Sequence, residues 1–443
     1  MTETAADPHA AVAINAGGVS SGGLTTADGR PLKAALAAAQ SHAKRRAFLL
    51  VLPLLLFVLI TFVFPIGQML HQSVYNPGFT TNVDVITKEE TPIMVNVRNW
   101  FDANPPGTEP DEAAFEALAK DFLLVDELRA AGSVGTRINY DMSGTRSLFT
   151  KTARKAEDLQ PPYKEAMLDI DEEWGDPELW AVMRGASSAY TANFYLAAID
   201  LTRNAQGEIV KVPDDRSLYI KLFVRTLLLS LLITFLTFVL AYPVAHLLAT
   251  LPLRYSNLLM IFVLLPFWTS LLVRTTSWMV LLQSQGVIND ALVAGGLLSD
   301  DGRIQMMYNQ TGTIIAMTHI LLPFMILPLY SVMRPINPSY VRAARSLGAT
   351  SWTAFRRIYF PQTVPGIGAG ALLVFILAVG YYITPALVGG ADGQLISNLI
   401  AFHMTKSLNW SLAAALASIL LAGILLLYWL YDRLIGIDNL KLG

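Results

Sequence analysis

The stretch NPSYVRAARSLGATSWTAFRRIYFPQTVP, residues Asn337 to Pro365, is a polar segment with four arginines between two long apolar segments. Its residue types predict two short helices joined by a glycine elbow. Asn337 can cap the first helix, and Gly348 can take the left-handed conformation that ends it. We predict that Ser351 caps the second helix and that Pro361 stops it.

The small side chains of Ala343 and Ala344 lie in the first of these predicted helices. They leave a smooth face on which another protein can approach the backbone closely. If the flanking apolar segments span a membrane, the loop is suited to receive force from a cytoplasmic partner. The alternative is a helical hairpin that only connects two spans.

Composition places the chain among integral membrane proteins. Of its 443 residues, 53% are hydrophobic and 15% are charged, and the mean hydropathy is +0.45. A soluble chain of this size has about a quarter charged residues. There is no cysteine, which excludes disulfides and cysteine metal sites but does not fix a compartment.

Hydropathy along the chain predicts an all-α fold with six transmembrane helices. The first, within 44–75, is too long for the apolar core of a signal peptide, so we expect an uncleaved helix. Residues 1–43 before it are predicted to be a mobile cytoplasmic tail that turns helical near Pro31. The other five helices lie in a core over 216–443, and their predicted bounds are 225–254, 255–285, 304–333, 358–391 and 407–431.

The short loops predict the orientation of these spans, because cytoplasmic loops carry an excess of Lys and Arg. Basic residues flank the start of the first span, the 335–362 loop and the end of the last span. The loops near 290–301 and at Asp392 are acid-leaning. We therefore expect both termini and the 335–362 loop to be cytoplasmic.

Residues 76–215, which we name the acidic insertion, follow the first span and should then be extracytoplasmic. They hold 25 acidic and 13 basic residues, a net charge of −12. Apolar residues at three- and four-residue steps from Phe115 to Leu128 predict a helix, and Asp176-Pro177-Glu178 is typical of a helix start. We expect a small, mainly helical domain; the alternative is a surface insertion with no role of its own.

The sequence indicates no enzyme. A phosphate-binding loop needs a Gly-Lys dipeptide, which the chain lacks, so it cannot hydrolyse ATP by that route. No catalytic constellation or histidine metal motif is present, and we expect neither a bound cofactor nor a nucleic-acid partner. ATP and Mg²⁺ would be used by a separate polypeptide.

Four residues are candidates for a translocation path or gate. Arg274 is a charge inside a predicted span and should face a cavity or a partner, although it can also snorkel to the headgroups. Trp278, Tyr381 and Tyr382 can line a path or belong to an interfacial aromatic belt. The predicted spans contain no Asp or Glu, which disfavours a proton- or sodium-coupled secondary transporter.

The spacing of the 335–362 loop resembles the coupling-loop motif of binding-protein-dependent ABC permeases, which docks the ATPase. That motif normally opens Glu-Ala-Ala, with a glycine four residues later and Ile-x-x-Pro beyond it. Here Arg342 replaces the opening acid, which puts one ion-pairing contact in doubt. The residues that carry the resemblance are Arg342, Ala343, Ala344, Gly348, Ala349, Phe355, Ile358 and Pro361.

Three further stretches are similar to the first permease subunit of the spermidine/putrescine transporter family. They are LLPFWTSLLVRTTSWMVLLQSQGVIN (264–289), ILLPFMILPLYSVM (320–333) and LVGGADGQLISNLI (387–400). The resemblance implies a multi-pass bacterial inner-membrane protein that moves a polyamine, an opine or a related solute. It also implies two ATPase subunits, a second permease subunit, a periplasmic binding protein and contact with membrane lipid. A membrane-anchored solute sensor or a secondary transporter remains the alternative.

Overall fold

The computed structural model describes residues 32–84 and 86–435, and this part of the chain is mostly helical. Two short antiparallel hairpins pair β1 (Thr81–Val83) with β2 (Glu90–Pro92) and β3 (Leu201–Arg203) with β4 (Ile209–Lys211). The α-helices are α1 (Leu32–Val58), α2 (Phe64–Gln72), α3 (Val95–Ala103), α4 (Glu112–Glu127), α5 (Ala131–Asn139), α6 (Thr145–Ala153), α7 (Tyr163–Ile170), α8 (Pro177–Ala186), α9 (Asn193–Ala198), α10 (Tyr219–Thr250), α11 (Leu253–Leu264), α12 (Leu271–Leu282), α13 (Val287–Ala294), α14 (Gln310–Met333), α15 (Ser339–Ser346), α16 (Ser351–Ala354), α17 (Phe360–Gly380), α18 (Ile383–Val388), α19 (Ile396–Thr405) and α20 (Trp410–Ile435). Shorter turns are π-helical at Leu59–Val63 and Phe355–Tyr359 and 3₁₀-helical at Ala156–Asp158, Glu172–Gly175, Leu265–Trp268 and Asp300–Gly302.

Five helical segments in the described residues are long and apolar enough to cross a membrane, or six if one sharply bent pair counts as a single span. The all-α membrane fold is thus confirmed at this level. The described residues form two compact units, 32–69 and 70–435. In the first unit, α1 is already helical at Leu32 and continues through a π-helical turn. Most of the predicted tail, residues 1–31, lies outside the described residues.

The third predicted span, 255–285, is wrong as a continuous helix. The segments Leu253–Trp268 and Leu271–Ala294 meet at an angle of 97°. Pro266 lies in a 3₁₀ turn at the break, where it has no N–H to donate, and the Ser270 hydroxyl accepts a hydrogen bond from Val273 N at 3.2 Å to cap α12. The chain therefore stops one helix and starts another inside the apolar stretch.

The fifth predicted span, 358–391, also ends early. Its helix α17 stops at Gly380, and a short helix, α18, begins at Ile383. The Ser397 hydroxyl donates to Tyr381 O at 2.6 Å, and the Asn398 amide donates to Tyr382 O at 2.7 Å. Side chains outside the span thus satisfy the backbone carbonyls that the break leaves free.

The core of the membrane part is formed by α10, α14 and α17, which pack closely on one another. Glycines allow α17 to approach α14: a Cβ at Gly366 would lie 3.1 Å from Pro328 O, and one at Gly370 would lie 2.6 Å from Met325 Sδ. Buried apolar side chains from all three helices fill the contact. This packing fixes the helices that flank the 335–362 loop.

Most of the acidic insertion is a helical body with its own core. The predicted Phe115–Leu128 helix corresponds to α4, which buries Phe115 and Phe122, and the predicted start at Asp176 is confirmed because its carboxylate caps α8. Asp121 accepts hydrogen bonds from Asn96 N and Val97 N at the start of α3. Burial raises the pKa of the Asp121 carboxyl, against the opposite effect of these hydrogen bonds.

The end of the insertion is joined to the membrane helices. Helix α9 packs on α20, and buried Phe194 lies in one apolar cluster with Leu222 and Leu416. Asp200 is buried and caps α10 from outside that helix: its Oδ1 accepts from Leu218 N and Tyr219 N at 3.0 Å, and its Oδ2 accepts from Ile220 N at 2.8 Å. Its main effect is to satisfy the free N–H groups of this helix start.

We expect Asp200→Ala to lower the unfolding temperature of the full-length chain, because three N–H groups lose their acceptor at a cost of about 1–3 kcal/mol. Asp200→Asn is the matched control, since it keeps one acceptor oxygen and tolerates the φ of +55° at this position. Its effect should be smaller. Thermal unfolding in lipid nanodiscs measures both variants; an alanine variant as stable as the wild-type chain would contradict the capping role.

Candidate coupling loop and translocation path

The first half of the 335–362 loop folds as the sequence predicts. The Asn337 side chain accepts a hydrogen bond from Ser339 N at 2.9 Å and caps α15. Gly348 ends the helix with φ +93°; its N–H donates to Arg345 O, and Ala349 N donates to Ala344 O at 3.1 Å. These two bonds form a Schellman motif, which needs a residue in the left-handed region.

The second half departs from the prediction at two positions. Thr350, not Ser351, caps α16, and its hydroxyl accepts from Thr353 N at 3.2 Å. Pro361 does not stop the helix. It lies in the first turn of α17, directly after the π-helical turn Phe355–Tyr359, and the helix continues through both over 351–380 as one candidate span.

The predicted coupling residues differ in exposure. Arg342, Ala343, Gly348 and Ile358 are exposed, whereas Ala344, Ala349 and Phe355 are half-buried. Two apolar side chains that the sequence reasoning did not select are more exposed: Leu347 is 90% and Trp352 is 68% accessible. The sequence signal that could have identified these two residues is their large apolar side chains within an arginine-rich loop.

Polar and aromatic contacts join the loop to α10. His246 Nδ1 lies 3.1 Å from the Tyr359 hydroxyl, and the Phe355 ring stacks on Tyr359. Arg334 Nη1 donates to Ala249 O at 2.7 Å and to Leu251 O at 2.9 Å, so it satisfies free carbonyls at the end of α10. A displacement of the loop would therefore be transmitted to α10 as well as to α17.

A recess of about 830 Å³ opens between this loop and the ends of α10 and α14. Arg334, Arg342, His246, Phe355 and Tyr359 are among the side chains that line it. The loop is thus supported on one side and open on the other. No cluster of His, Asp or Glu within 32–84 and 86–435 could hold a metal ion.

Three of the four path candidates come together. Trp278 Nε1 donates to His319 Nδ1 at 3.1 Å, which places α12 against α14. Arg274 lies near enough to His319 and Tyr381 for its charge to act on both, and its buried Nε has no hydrogen-bond partner among the described residues. His319 is not among the residues predicted for the path, because a lone histidine near the end of a span is more often a packed or interfacial residue.

The remaining candidate, Tyr382, is 47% exposed and lies at the break between α17 and α18. The two broken helices meet nearby, where the Thr275 and Thr384 hydroxyls lie 3.2 Å apart and are buried. Broken helices at membrane depth are tolerated where they are buried in protein or line a cavity. This region is therefore the best candidate for a path through the described membrane part.

Comparison with known proteins adds an independent line of evidence. A family model described as "Binding-protein-dependent transport system inner membrane component" matches residues 218–435. The spermidine/putrescine transport system permease protein PotB of Escherichia coli (strain K12) is 37% identical over 222 residues, which are 49% of this chain and 80% of that protein. The acidic insertion precedes the residues matched by the family model.

Two other matches are more distant. The sulfate transport system permease protein CysT of Escherichia coli (strain K12) is 29% identical over 133 residues, 30% of this chain and 48% of that protein. A solved bacterial alginate ABC transporter, in complex with an alginate pentasaccharide-bound periplasmic protein, aligns at 20% identity with a TM-score of 0.44 and covers 52% of this chain and 82% of that one.

Proposed function

Because this chain belongs to the family of binding-protein-dependent transport system inner membrane components and is the permease subunit of an ABC importer, we propose that it imports a polyamine such as spermidine or putrescine. Permeases of this family are multi-pass inner-membrane proteins and not enzymes. They act with ATPase subunits, a second permease subunit and a periplasmic binding protein.

The proposal for the 335–362 loop is that it docks the ATPase subunit. The observation that carries it is the glycine elbow at Gly348, which presents the exposed side chains of Leu347 and Trp352 between two short helices. The same loop continues into α17 and contacts α10 through His246 and Tyr359. ATP-driven movement of the partner would thus tilt two spans of the core.

The proposed topology has six spans, with the bent pair 253–268 and 271–294 as the third. Both termini and the coupling loop are cytoplasmic, and the acidic insertion is periplasmic. Basic residues at the coupling loop support this orientation. We further propose that Arg274, Trp278, Tyr381 and Tyr382 line the path. Tyr382 lies at the break between α17 and α18, near the place where the two broken helices meet. The other three residues lie around His319.

Solute identity rests on the similarity to PotB, which is greater in identity and in coverage than the similarity to the sulfate permease. A polycation bound within the membrane would need desolvated carboxylates, and the predicted spans contain no Asp or Glu. Arg274 adds a positive charge to the candidate path. We therefore assign tight selection of the solute to the binding protein and only passage to this chain.

We expect the purified complex of permease and ATPase subunits, without the binding protein, to show no spermidine binding at micromolar concentrations in equilibrium dialysis. Adding the binding protein and spermidine should stimulate its ATPase activity, and sulfate is the matched control solute. Tight spermidine binding without the binding protein would place selection in the permease. Stimulation by sulfate and not by spermidine or putrescine would contradict the polyamine assignment.

A further inference from the structure

The exposed arginines of the coupling loop have no acidic partner in the described residues. Arg342, Arg345, Arg356 and Arg357 are all exposed, and none takes part in an ion pair or side-chain hydrogen bond there. Between Arg303 and Ala391 the sequence contains no Asp or Glu. This surface is therefore strongly positive, and no acidic side chain within 32–84 and 86–435 pairs with it.

Two of these arginines flank an apolar centre. Arg342 and Arg345 lie on α15, and the exposed Leu347 follows at its end, with Trp352 across the elbow. An apolar centre surrounded by charges is the usual anatomy of a protein–protein interface. Arg is enriched at such interfaces because its planar guanidinium can pair with a carboxylate through two hydrogen bonds.

We propose that the partner ATPase receives this loop in a pocket with an apolar floor and an acidic rim, and that Arg342 and Arg345 pair with its carboxylates. This inference rests on the proposed docking of the ATPase by the loop. The polarity is the reverse of that expected from the usual opening of the motif, where a glutamate stands in place of Arg342. A permease with this loop should therefore reject an ATPase whose rim is basic.

Anionic lipid headgroups are the other source of negative charge on this side of the membrane. Arg356 and Arg357 lie in the π-helical turn where the span 351–380 begins, so a lipid surface suits these two. Arg342 and Arg345 lie on the other side of the elbow, beside Leu347. This placement favours a protein partner for the α15 pair.

The test uses the full-length chain in nanodiscs, titrated with the ATPase subunit that co-purifies with it, at salt concentrations from low to high. The double variant Arg342→Glu, Arg345→Glu should raise the dissociation constant about tenfold or more at low salt. High salt should reduce the difference, since exposed charges are screened. Arg356→Glu, Arg357→Glu is the matched control and should change ATPase binding much less.

Nanodiscs of purely zwitterionic lipid distinguish a protein partner from anionic lipid headgroups as the source of the negative charge. The proposal predicts the same loss of affinity in zwitterionic and anionic nanodiscs. A loss seen only with anionic lipid, or equal losses from both pairs of arginines, would overturn it. Leu347→Ala tests docking itself: if this variant weakens ATPase binding and the α15 charge reversal does not, the charge inference fails while the proposed function stands.

Discussion

Replacing Gly348 with valine is expected to lower solute uptake about tenfold or more while leaving membrane insertion intact. The residue has φ +93°, and apart from its chain neighbours no described atom lies within 4 Å of the position a Cβ would take, so space is not the constraint. A β-branched residue in this conformation costs about 1–3 kcal/mol. The loop should relieve that strain by giving up the elbow, which removes the surface that receives the ATPase.

Gly348→Asn is the matched control, because asparagine tolerates the left-handed region at helix ends. It adds a larger side chain than alanine would but should retain most of the uptake. Uptake into cells and the amount of ATPase that co-purifies with each variant measure the effect. Wild-type uptake and normal ATPase co-purification by the valine variant would contradict a coupling role for the elbow.

The structure of the 335–362 loop could be predicted in part from the sequence. Asn337 and Gly348 were correctly predicted because one polar side chain and one backbone conformation have local causes. Thr350 caps the second helix in place of the predicted Ser351, because both hydroxyls can cap and the backbone conformation determines which one does. Pro361 was interpreted as a stop, but the helix continues through a π-helical turn into α17 with Pro361 in its first turn.

The breaks in the third and fifth predicted spans could not be read from hydropathy. The stretch around Ser270 is apolar on both sides, and its hydroxyl caps a helix that periodicity does not separate from the one before. The carbonyls at Tyr381 and Tyr382 are satisfied by Ser397 and Asn398, which lie 16 residues away in sequence. Such contacts depend on the packed fold, and so does the meeting of Arg274 with His319.

The acidic insertion was predicted as a helical domain, but the way it is joined to the membrane helices was not predicted. The local sequence signals extend only to the helix start at Asp176, whereas Asp200 caps α10 across 18–20 residues of sequence. The entry and exit of the body also lie side by side: Asn76 N donates to Ala189 O, and Thr191 N donates to Val74 O, both at 2.8 Å. The helical body can therefore be removed without the segment that holds α10.

We expect removal of residues 78–187, with a short Gly-Ser bridge from Pro77 to Ser188, to lower uptake at least about tenfold at low salt. We propose that this body docks the binding protein above the pore. It carries 21 acidic and 11 basic residues, so attraction of a positive partner surface should raise the encounter rate, and the gain should shrink with ionic strength. Uptake is measured at low and high salt with a fixed amount of binding protein.

The excision keeps α9 and Asp200 but loses contacts between the body and the retained part, among them a hydrogen bond and a cation–π contact. The Tyr140 hydroxyl no longer donates to Leu408 O, and the Arg137 guanidinium no longer covers the Phe194 ring, 5.0 Å away. Thermal unfolding in nanodiscs must therefore show that the shortened chain remains folded. Glu172→Gln, Glu173→Gln, Glu178→Gln is the matched control, because it removes exposed charge and keeps the body.

The two variants separate steric docking from electrostatic attraction. If the body provides the docking surface, the excised chain should lose uptake at both salt concentrations, whereas the triple glutamine variant should lose uptake at low salt alone. Added binding protein should partly restore the excised chain, because a weakened encounter is compensated by mass action. A folded, excised chain that takes up solute at the wild-type rate at both salt concentrations would show that the insertion has no docking role.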